Sequence, residues 1–276
     1  MKLLIQIIQS VCFVALYFVM QFVAIFAVVF VYGIVEGLQL MSQGQDMQNV
    51  DFGLMLESAI YNSPGAMCLI TVLSGILTIL CLYLFFRIQG RKLREEANLV
   101  PFHSLYWPMV LLGAVGLCLV VNFAMPLIPI PEEVLTEYAE QSQSLVQGPI
   151  IYLLLSNVVM APLIEEILFR GLVFGRLRKV MPVWAAVVLS SIFFGLMHGQ
   201  ILWVIYTSLV GLVLGLTAWK MKSALAPMFM HFVFNLFGTY MGCFPIPITN
   251  LLCVAMTALG SGCLVIYLVA LFKYEP

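Results

Sequence analysis

Eight apolar runs divide this chain of 276 residues, and each is about as long as a helix that crosses a lipid bilayer. A membrane-spanning helix needs ~20 predominantly apolar residues. Inside lipid the backbone must satisfy its own hydrogen bonds, which a helix does within one segment. The runs therefore predict an all-α, polytopic membrane protein with about eight transmembrane helices. They lie at about residues 5–35, 65–86, 108–128, 150–175, 182–198, 201–219, 224–242 and 249–272.

The composition argues against any soluble domain. Hydrophobic residues make up 63% of the chain and charged residues only 9%, whereas soluble domains carry about 25% charged residues. The net charge of −1 gives no indication of a nucleic-acid partner. Most of the seven cysteines lie within apolar runs, and none forms a Cys-x-x-Cys pair. We interpret them as small buried residues rather than as disulfides or metal ligands.

The basic residues predict which way the chain crosses the membrane. If every run crosses, all Lys and Arg residues fall on one side, and the opposite loops carry only acidic charges. Basic loops face the cytoplasm, so both termini are expected there. The acidic residues on the external side are Asp46, Asp51, Glu57, Glu132, Glu133, Glu137 and Glu140. Short loops and the lack of organelle signals favour a multi-pass protein of a bacterial plasma membrane.

The chain divides into three regions. Residues 1–149 form an N-terminal membrane region of three spans with an acidic external loop, and its first run is too long for a signal peptide. Residues 150–240 carry the polar chemistry, and residues 241–276 contain the C-terminal span. Only Gly199 and Gln200 separate the fifth and sixth runs, so these two could instead form one tilted helix with a break.

Glu165, Glu166 and Arg170 lie inside the fourth apolar run. A charge at mid-membrane costs at least ~2.5–3.5 kcal/mol, so an ionisable residue there indicates a functional site. Glu166 and Arg170 are four residues apart on one helical face and are expected to form an ion pair. Glu165 points about 100° away and is available as a general base. All three could instead form one structural cluster between helices.

The chain has three histidines, and two of them lie in apolar runs. His198 ends the fifth run, and His231 shares a helical face of the seventh run with Asn235. His103, in the basic cytoplasmic segment, is interpreted as an interfacial residue. Taken alone, each intramembrane histidine could be a helix-packing residue. Together with a carboxylate they could activate water, stabilise an oxyanion or ligate a metal ion.

Three motifs in order resemble those of a known family. Glu165-Glu166-x-x-x-Arg170, Phe194-x-x-x-His198 and His231-x-x-x-Asn235 match the motifs of the CAAX-protease and bacteriocin-processing (CPBP or Abi) family of glutamyl intramembrane endopeptidases. The resemblance covers about residues 150–240, and the first three spans match only as apolar helices. It implies hydrolysis of a membrane-associated or lipidated peptide, and a connection to bacteriocin processing or self-immunity.

The resemblance also implies a role for each motif residue. The implied catalytic residues are Glu165 as the general base, His198 as its helper, and His231 and Asn235 as an oxyanion hole. The implied structural ion pair joins Glu166 and Arg170. We expect no cofactor, because the chain lacks a His-Glu-x-x-His motif.

Other functions stay open at the level of the sequence. Family members were first described as metalloproteases, and a zinc ion held by Glu165, His198 and His231 is the metal-dependent alternative. The chain could also be a catalytically idle immunity or scaffold protein that binds a peptide. A proton-coupled transporter would show helix breaks in paired halves, and we find no such pairing in the sequence.

Overall fold

The computed structural model describes residues 1–43, 65–145, 148–243 and 248–274, and its regular structure there is helical without strands. The predicted all-α class is confirmed. The helices are α1 (Lys2–Ser42), α2 (Ala66–Ile88), α3 (Leu93–Glu96), α4 (Trp107–Ala124), α5 (Glu132–Leu145), α6 (Ile150–Leu177), α7 (Val183–Leu196), α8 (Ile201–Met221), α9 (Leu225–Cys243) and α10 (Asn250–Lys273). Short 3₁₀ turns, Ser104–Tyr106 and Met125–Leu127, flank α4.

Six segments of the described chain are helical, long and apolar enough to cross a bilayer. They are Lys2–Ser42, Ala66–Ile88, Ser104–Leu127, Ile150–Leu177, Ile201–Met221 and Asn250–Lys273. α7 is apolar but has only 14 residues, and α9 contains His231 and Asn235. A polytopic membrane protein is therefore confirmed, while the eight crossings and the cytoplasmic termini stay predictions. The predicted external residues Asp46, Asp51 and Glu57 lie outside the described residues.

α7 and α8 are separate helices joined by a tight turn, so the alternative of one tilted, broken helix is wrong. Gly199 in the turn has a φ of +74°, a left-handed conformation that glycine adopts without strain. The side-chain oxygen of Gln200 then accepts hydrogen bonds from the backbone N–H groups of Leu202 and Trp203, at 2.7 and 3.0 Å. These bonds satisfy donors that a helix leaves unpaired in its first turn, so α8 begins at a defined residue.

Small residues let α7 and α8 pack closely in antiparallel orientation. A Cβ atom on Gly195 would overlap the Ser208 hydroxyl oxygen and would lie 2.6 Å from the Val204 carbonyl oxygen. A Cβ atom on Gly211 would lie 3.1 Å from the Cβ of Ser191. Lipid provides little hydrophobic drive for helix association, so close packing at small residues carries much of it. The glycines thus fix the position of α7, and of the residues at its end.

α6 is enclosed by other helices along its charged portion. Its residues Phe169 and Phe174 join a buried cluster with Phe13 of α1 and Phe86 of α2. A second buried cluster joins α4, α8, α9 and α10 around Tyr267, which is fully buried. The charges that the sequence places in α6 therefore face protein rather than lipid.

Replacing Gly195 with alanine should destabilise the hairpin. The added Cβ would meet a backbone oxygen at 2.6 Å, so the two helices must separate. Overpacking of this kind costs about 1–3 kcal/mol, and for a chain of this size each kcal/mol lowers Tm by about 2–4 °C. Thermal unfolding in detergent measures the change. Gly262→Ala in α10 is the control, because no atom lies within 4 Å of its added Cβ. Equal Tm values for the two variants would contradict the close packing.

Candidate active site

The helix that carries the acidic pair is not a regular α-helix. Two π-helical segments, Leu154–Met160 and Ile167–Val173, flank the α-helical segment Ala161–Glu166. Pro162 has no N–H to donate to the preceding turn, which helps to explain the wider turns before it. Single turns of π-helix inside α-helices often occur at functional sites. The sequence predicted one uninterrupted span here and gave no indication of these two segments.

Glu166 and Arg170 form a buried ion pair. The Arg170 Nη1 atom donates to Glu166 Oε1 at 3.0 Å, and the two side chains are 1% and 0% exposed. The Nη2 atom of Arg170 donates to the carbonyl oxygen of Gly211 on α8 at 3.3 Å. The guanidinium carbon lies 4.4 Å from the centre of the Phe194 ring on α7. The arginine therefore joins α6 to both helices of the hairpin.

His231 lies between the two glutamates. Its Nδ1 atom is 2.9 Å from Glu166 Oε1, and its Nε2 atom is 3.7 Å from Glu165 Oε2. An ionised carboxylate only accepts hydrogen bonds, so Nδ1 carries a proton, and Nε2 has a free lone pair in the neutral imidazole and an N–H in the imidazolium. A separation of 3.7 Å is too long for a direct hydrogen bond. Sequence reasoning missed the contact with Glu166, because the two residues are 65 positions apart.

Glu165 has the freer carboxylate of the acidic pair. Its side chain is 14% exposed. In the described chain its ion-pair contact is with His231, at 3.7 Å. The hydroxyl groups of Tyr17 on α1 and Tyr206 on α8 lie near enough to interact electrostatically with this carboxylate. Glu166 is thus neutralised by fixed partners, while Glu165 has a longer contact and a more exposed side chain.

The Phe194 ring contacts the imidazole rings of both intramembrane histidines. Its ring centre lies 5.0 Å from that of His198 and 5.7 Å from that of His231. The Nδ1 atom of His198 is 2.9 Å from the Phe194 carbonyl oxygen, which can only accept, so Nδ1 donates and Nε2 is left free. Among the described residues no direct hydrogen bond or ion pair joins His198 to Glu165. The sequence pattern named Phe194 as a motif residue but gave no reason for it, and the ring contacts supply one.

Asn235 contacts the first π-helical segment rather than the charged residues. Its Nδ2 atom donates to the carbonyl oxygen of Asn157 at 2.7 Å. A π-helical turn displaces backbone carbonyl groups from the usual pattern, which explains why this oxygen accepts from a side chain. An asparagine amide has two N–H donors, so one donor is left for another acceptor. The bond fixes the rotamer of Asn235 on the same helix as His231.

The other polar groups discussed from the sequence lie apart from this site. His103 accepts a hydrogen bond at Nδ1 from the backbone N–H of Leu105 at 3.2 Å and caps a 3₁₀ turn. In the described part of the chain, no three His, Cys, Asp or Glu side chains are grouped so as to hold a metal ion. The proposed zinc ligands Glu165 and His231 approach each other, whereas His198 is bound to its own helix.

Comparison with known proteins points to one family. Residues 147–237 match the family model of Rce1-like type II CAAX prenyl endopeptidases. A Bacillus subtilis protein named "Putative membrane peptidase YdiL" is 25% identical over 111 residues, which are 40% of this chain and 45% of the relative. The chain therefore spans less than half the length of this curated relative. No solved structure matches the chain.

Replacing Arg170 with alanine should reduce folding more than replacing Glu165 with glutamine. Loss of one partner of a buried ion pair leaves an uncompensated charge and costs ~3–5 kcal/mol. In the described chain the ion-pair contact of Glu165 is with His231 at 3.7 Å, so neutralising its carboxylate should cost little stability. The measurement is the amount of monodisperse protein recovered in detergent. We expect a clear loss for Arg170→Ala and a near-normal yield for Glu165→Gln. Equal yields would show that Arg170 does not contribute more to folding than Glu165.

Proposed function

We propose that this chain is an intramembrane endopeptidase of the CAAX-protease type, in line with the match of residues 147–237 to the family model of Rce1-like CAAX prenyl endopeptidases. The proposal assigns it hydrolysis of a peptide bond in a membrane-associated or lipidated peptide. The observation that carries the proposal is the position of His231, held by Glu166 at 2.9 Å and facing Glu165 at 3.7 Å. This is an oriented imidazole beside a free carboxylate, the arrangement that general acid–base catalysis needs.

Glu165 is the proposed general base. Glu165 Oε2 and His231 Nε2 are 3.7 Å apart. A water molecule can bridge two polar groups that are separated by more than 3.5 Å. A water beside Glu165 would lose its proton to the carboxylate as its oxygen attacks the peptide carbonyl carbon. The proton would then pass to the leaving amine as the C–N bond breaks. His198, with its Nε2 atom free, is the proposed second partner of this water.

His231 and Asn235 are the proposed donors to the oxyanion. Nδ1 of His231 is engaged by Glu166, so Nε2 can donate only from the imidazolium form. Asn235 has one N–H bound to the Asn157 carbonyl oxygen, and its amide carries a second N–H donor. Donors held in place before the reaction lower the barrier because they need no reorganisation.

The family description and the enclosure of the site support the proposed substrate class. The matched family is named for CAAX prenyl endopeptidases, and Glu165 lies within a segment apolar enough to cross a bilayer. We propose a peptide substrate that reaches the site within the membrane, with no resident metal ion. A role in bacteriocin processing or self-immunity and location in a bacterial plasma membrane are further parts of the proposal.

Cleavage of a defined probe tests the function. The probe is a fluorescence-quenched farnesylated peptide ending in a CAAX sequence, compared with the same peptide lacking the farnesyl group. We expect wild-type protein in detergent to cleave the farnesylated probe, Glu165→Gln to lose that activity, and a zinc chelator to leave it unchanged. Glu132→Gln on α5 is the control for removal of one carboxylate. A fully active Glu165→Gln variant would remove Glu165 as the base, and reversible loss on zinc removal would contradict the metal-free mechanism.

Asn235→Ala should lower kcat and leave KM within a few-fold. Loss of one oxyanion donor typically reduces turnover by about 10²–10³, and an interaction made only in the transition state does not affect ground-state binding. If Asn235 serves only to join two helices through Asn157, its loss removes a bond of about 0.6 kcal/mol. Folded Asn235→Ala protein with a kcat within threefold of wild type would show that this structural role is the whole role.

A further inference from the structure

Four cationic side chains lie near the end of α6, and two of them pair with one carboxylate. Arg176 is 7% exposed and donates to Glu96 Oε2 at 3.0 Å. Arg91 pairs with Glu96 Oε1. Arg178 and Lys179 follow directly after α6, and both are exposed. We call Arg91, Arg176, Arg178 and Lys179 the basic cluster.

Aromatic rings hold the arginines of the basic cluster in place. The distances from guanidinium carbon to ring centre are 5.4 Å for Arg91 and Phe86, 5.7 Å for Arg176 and Phe13, and 5.7 Å for Arg178 and Phe174. A guanidinium on a ring face gains cation–π attraction while its N–H groups at the edge stay available. The three arginines are therefore positioned by packing and not only by the single carboxylate.

Among the described residues, the basic cluster carries more positive charge than the acidic side chains that pair with it. Glu96 supplies one negative charge against four positive ones, and both of its oxygens are already engaged. Lys179 interacts electrostatically with Arg176, Arg91 and Arg178 as well as with Glu96. Partial burial, followed by the charge of Arg176, lowers the pKa of Lys179 below its ordinary value. A bound anion would relieve this repulsion.

The basic cluster lies where helices leave the apolar part of the molecule. α6 ends at Leu177, and the next helix carries Trp184 in its first turn. Trp184 packs against Trp219 at 5.2 Å and is stacked on Phe272 at 5.9 Å, so aromatic residues of three helix ends meet there. Tryptophan is enriched at the boundary between lipid and water. That boundary is the depth of phospholipid phosphate groups.

We propose that the basic cluster binds the phosphate of an anionic phospholipid headgroup. Phosphate oxygens accept charge-assisted hydrogen bonds from guanidinium N–H groups, and anionic lipids attract basic residues that adjoin a membrane span. Arg176 lies eleven positions after Glu165 on α6. A lipid held here stabilises the end of the helix that carries the candidate active site, whatever reaction that site performs.

Thermal unfolding of the full chain in detergent tests the site with three added probes. They are phosphatidylglycerol, phosphatidylcholine and inorganic phosphate. A ligand that binds only the folded state raises Tm by mass action. We expect phosphatidylglycerol to raise Tm by a few degrees, and Arg178→Gln/Lys179→Gln to lose at least half of that rise. Lys92→Gln/Arg94→Gln is the matched control, since it removes two positive charges at the start of α3 that are outside the basic cluster, and it should keep the rise.

Three other outcomes of this experiment would contradict the proposal. An equal rise in both double variants would mean that general charge, not the basic cluster, attracts the lipid. An equal rise with phosphatidylcholine would mean that the negative headgroup charge is not recognised. A full rise with inorganic phosphate alone would assign the site to a free anion and not to a lipid. If the double variant does not fold, Lys179→Gln is measured in its place, because its side chain is exposed.

Discussion

The buried carboxylate of Glu166 is the interaction on which the rest of the site depends. One of its oxygens accepts from both Arg170 and His231, at 3.0 and 2.9 Å. The other oxygen is buried and has no hydrogen-bond partner among the described residues. A buried charge is tolerated only when its partners compensate for lost water. Both bonds that compensate the Glu166 charge are made to one oxygen atom, Oε1. α6, α8 and α9 must therefore keep the positions that bring Arg170 and His231 to this atom.

The hairpin of α7 and α8 supplies the remaining support. Gly195 and Gly211 allow the two helices to approach, and the Gly211 carbonyl oxygen accepts from Arg170 at 3.3 Å. The Phe194 ring contacts the guanidinium of Arg170 and the imidazole rings of both His198 and His231. A small aliphatic residue at this position would leave Arg170 and both histidines with space to rotate. Helix packing far from any charge therefore determines the geometry of the charged groups.

The sequence predicted the local parts of this arrangement and not the long-range ones. The four-residue spacing of Glu166 and Arg170 is enough to place both on one helical face, and the structure has them in contact. The all-α membrane class followed from the length of the apolar runs. The contact of Glu166 with His231 joins separate helices, and no periodicity in either helix encodes it. The π-helical segments and the bond from Asn235 to Asn157 also arise from packing between helices. The fifth and sixth runs are separated by two turn residues, Gly199 and Gln200. The sequence did not show that Gly199 adopts a left-handed conformation or that Gln200 caps α8.

Two adjacent glutamates solve a problem that a single one cannot. A carboxylate inside a membrane must be neutralised to be stable, yet a general base must keep a free lone pair. Neighbouring positions on a helix differ by about 100° in direction, so Glu166 can point to Arg170 while Glu165 points to the Nε2 atom of His231. His231 connects them, because one imidazole nitrogen faces each carboxylate. The paired glutamate thereby fixes the orientation of the imidazole, and that imidazole in turn provides the polar neighbour that the free glutamate would otherwise lack.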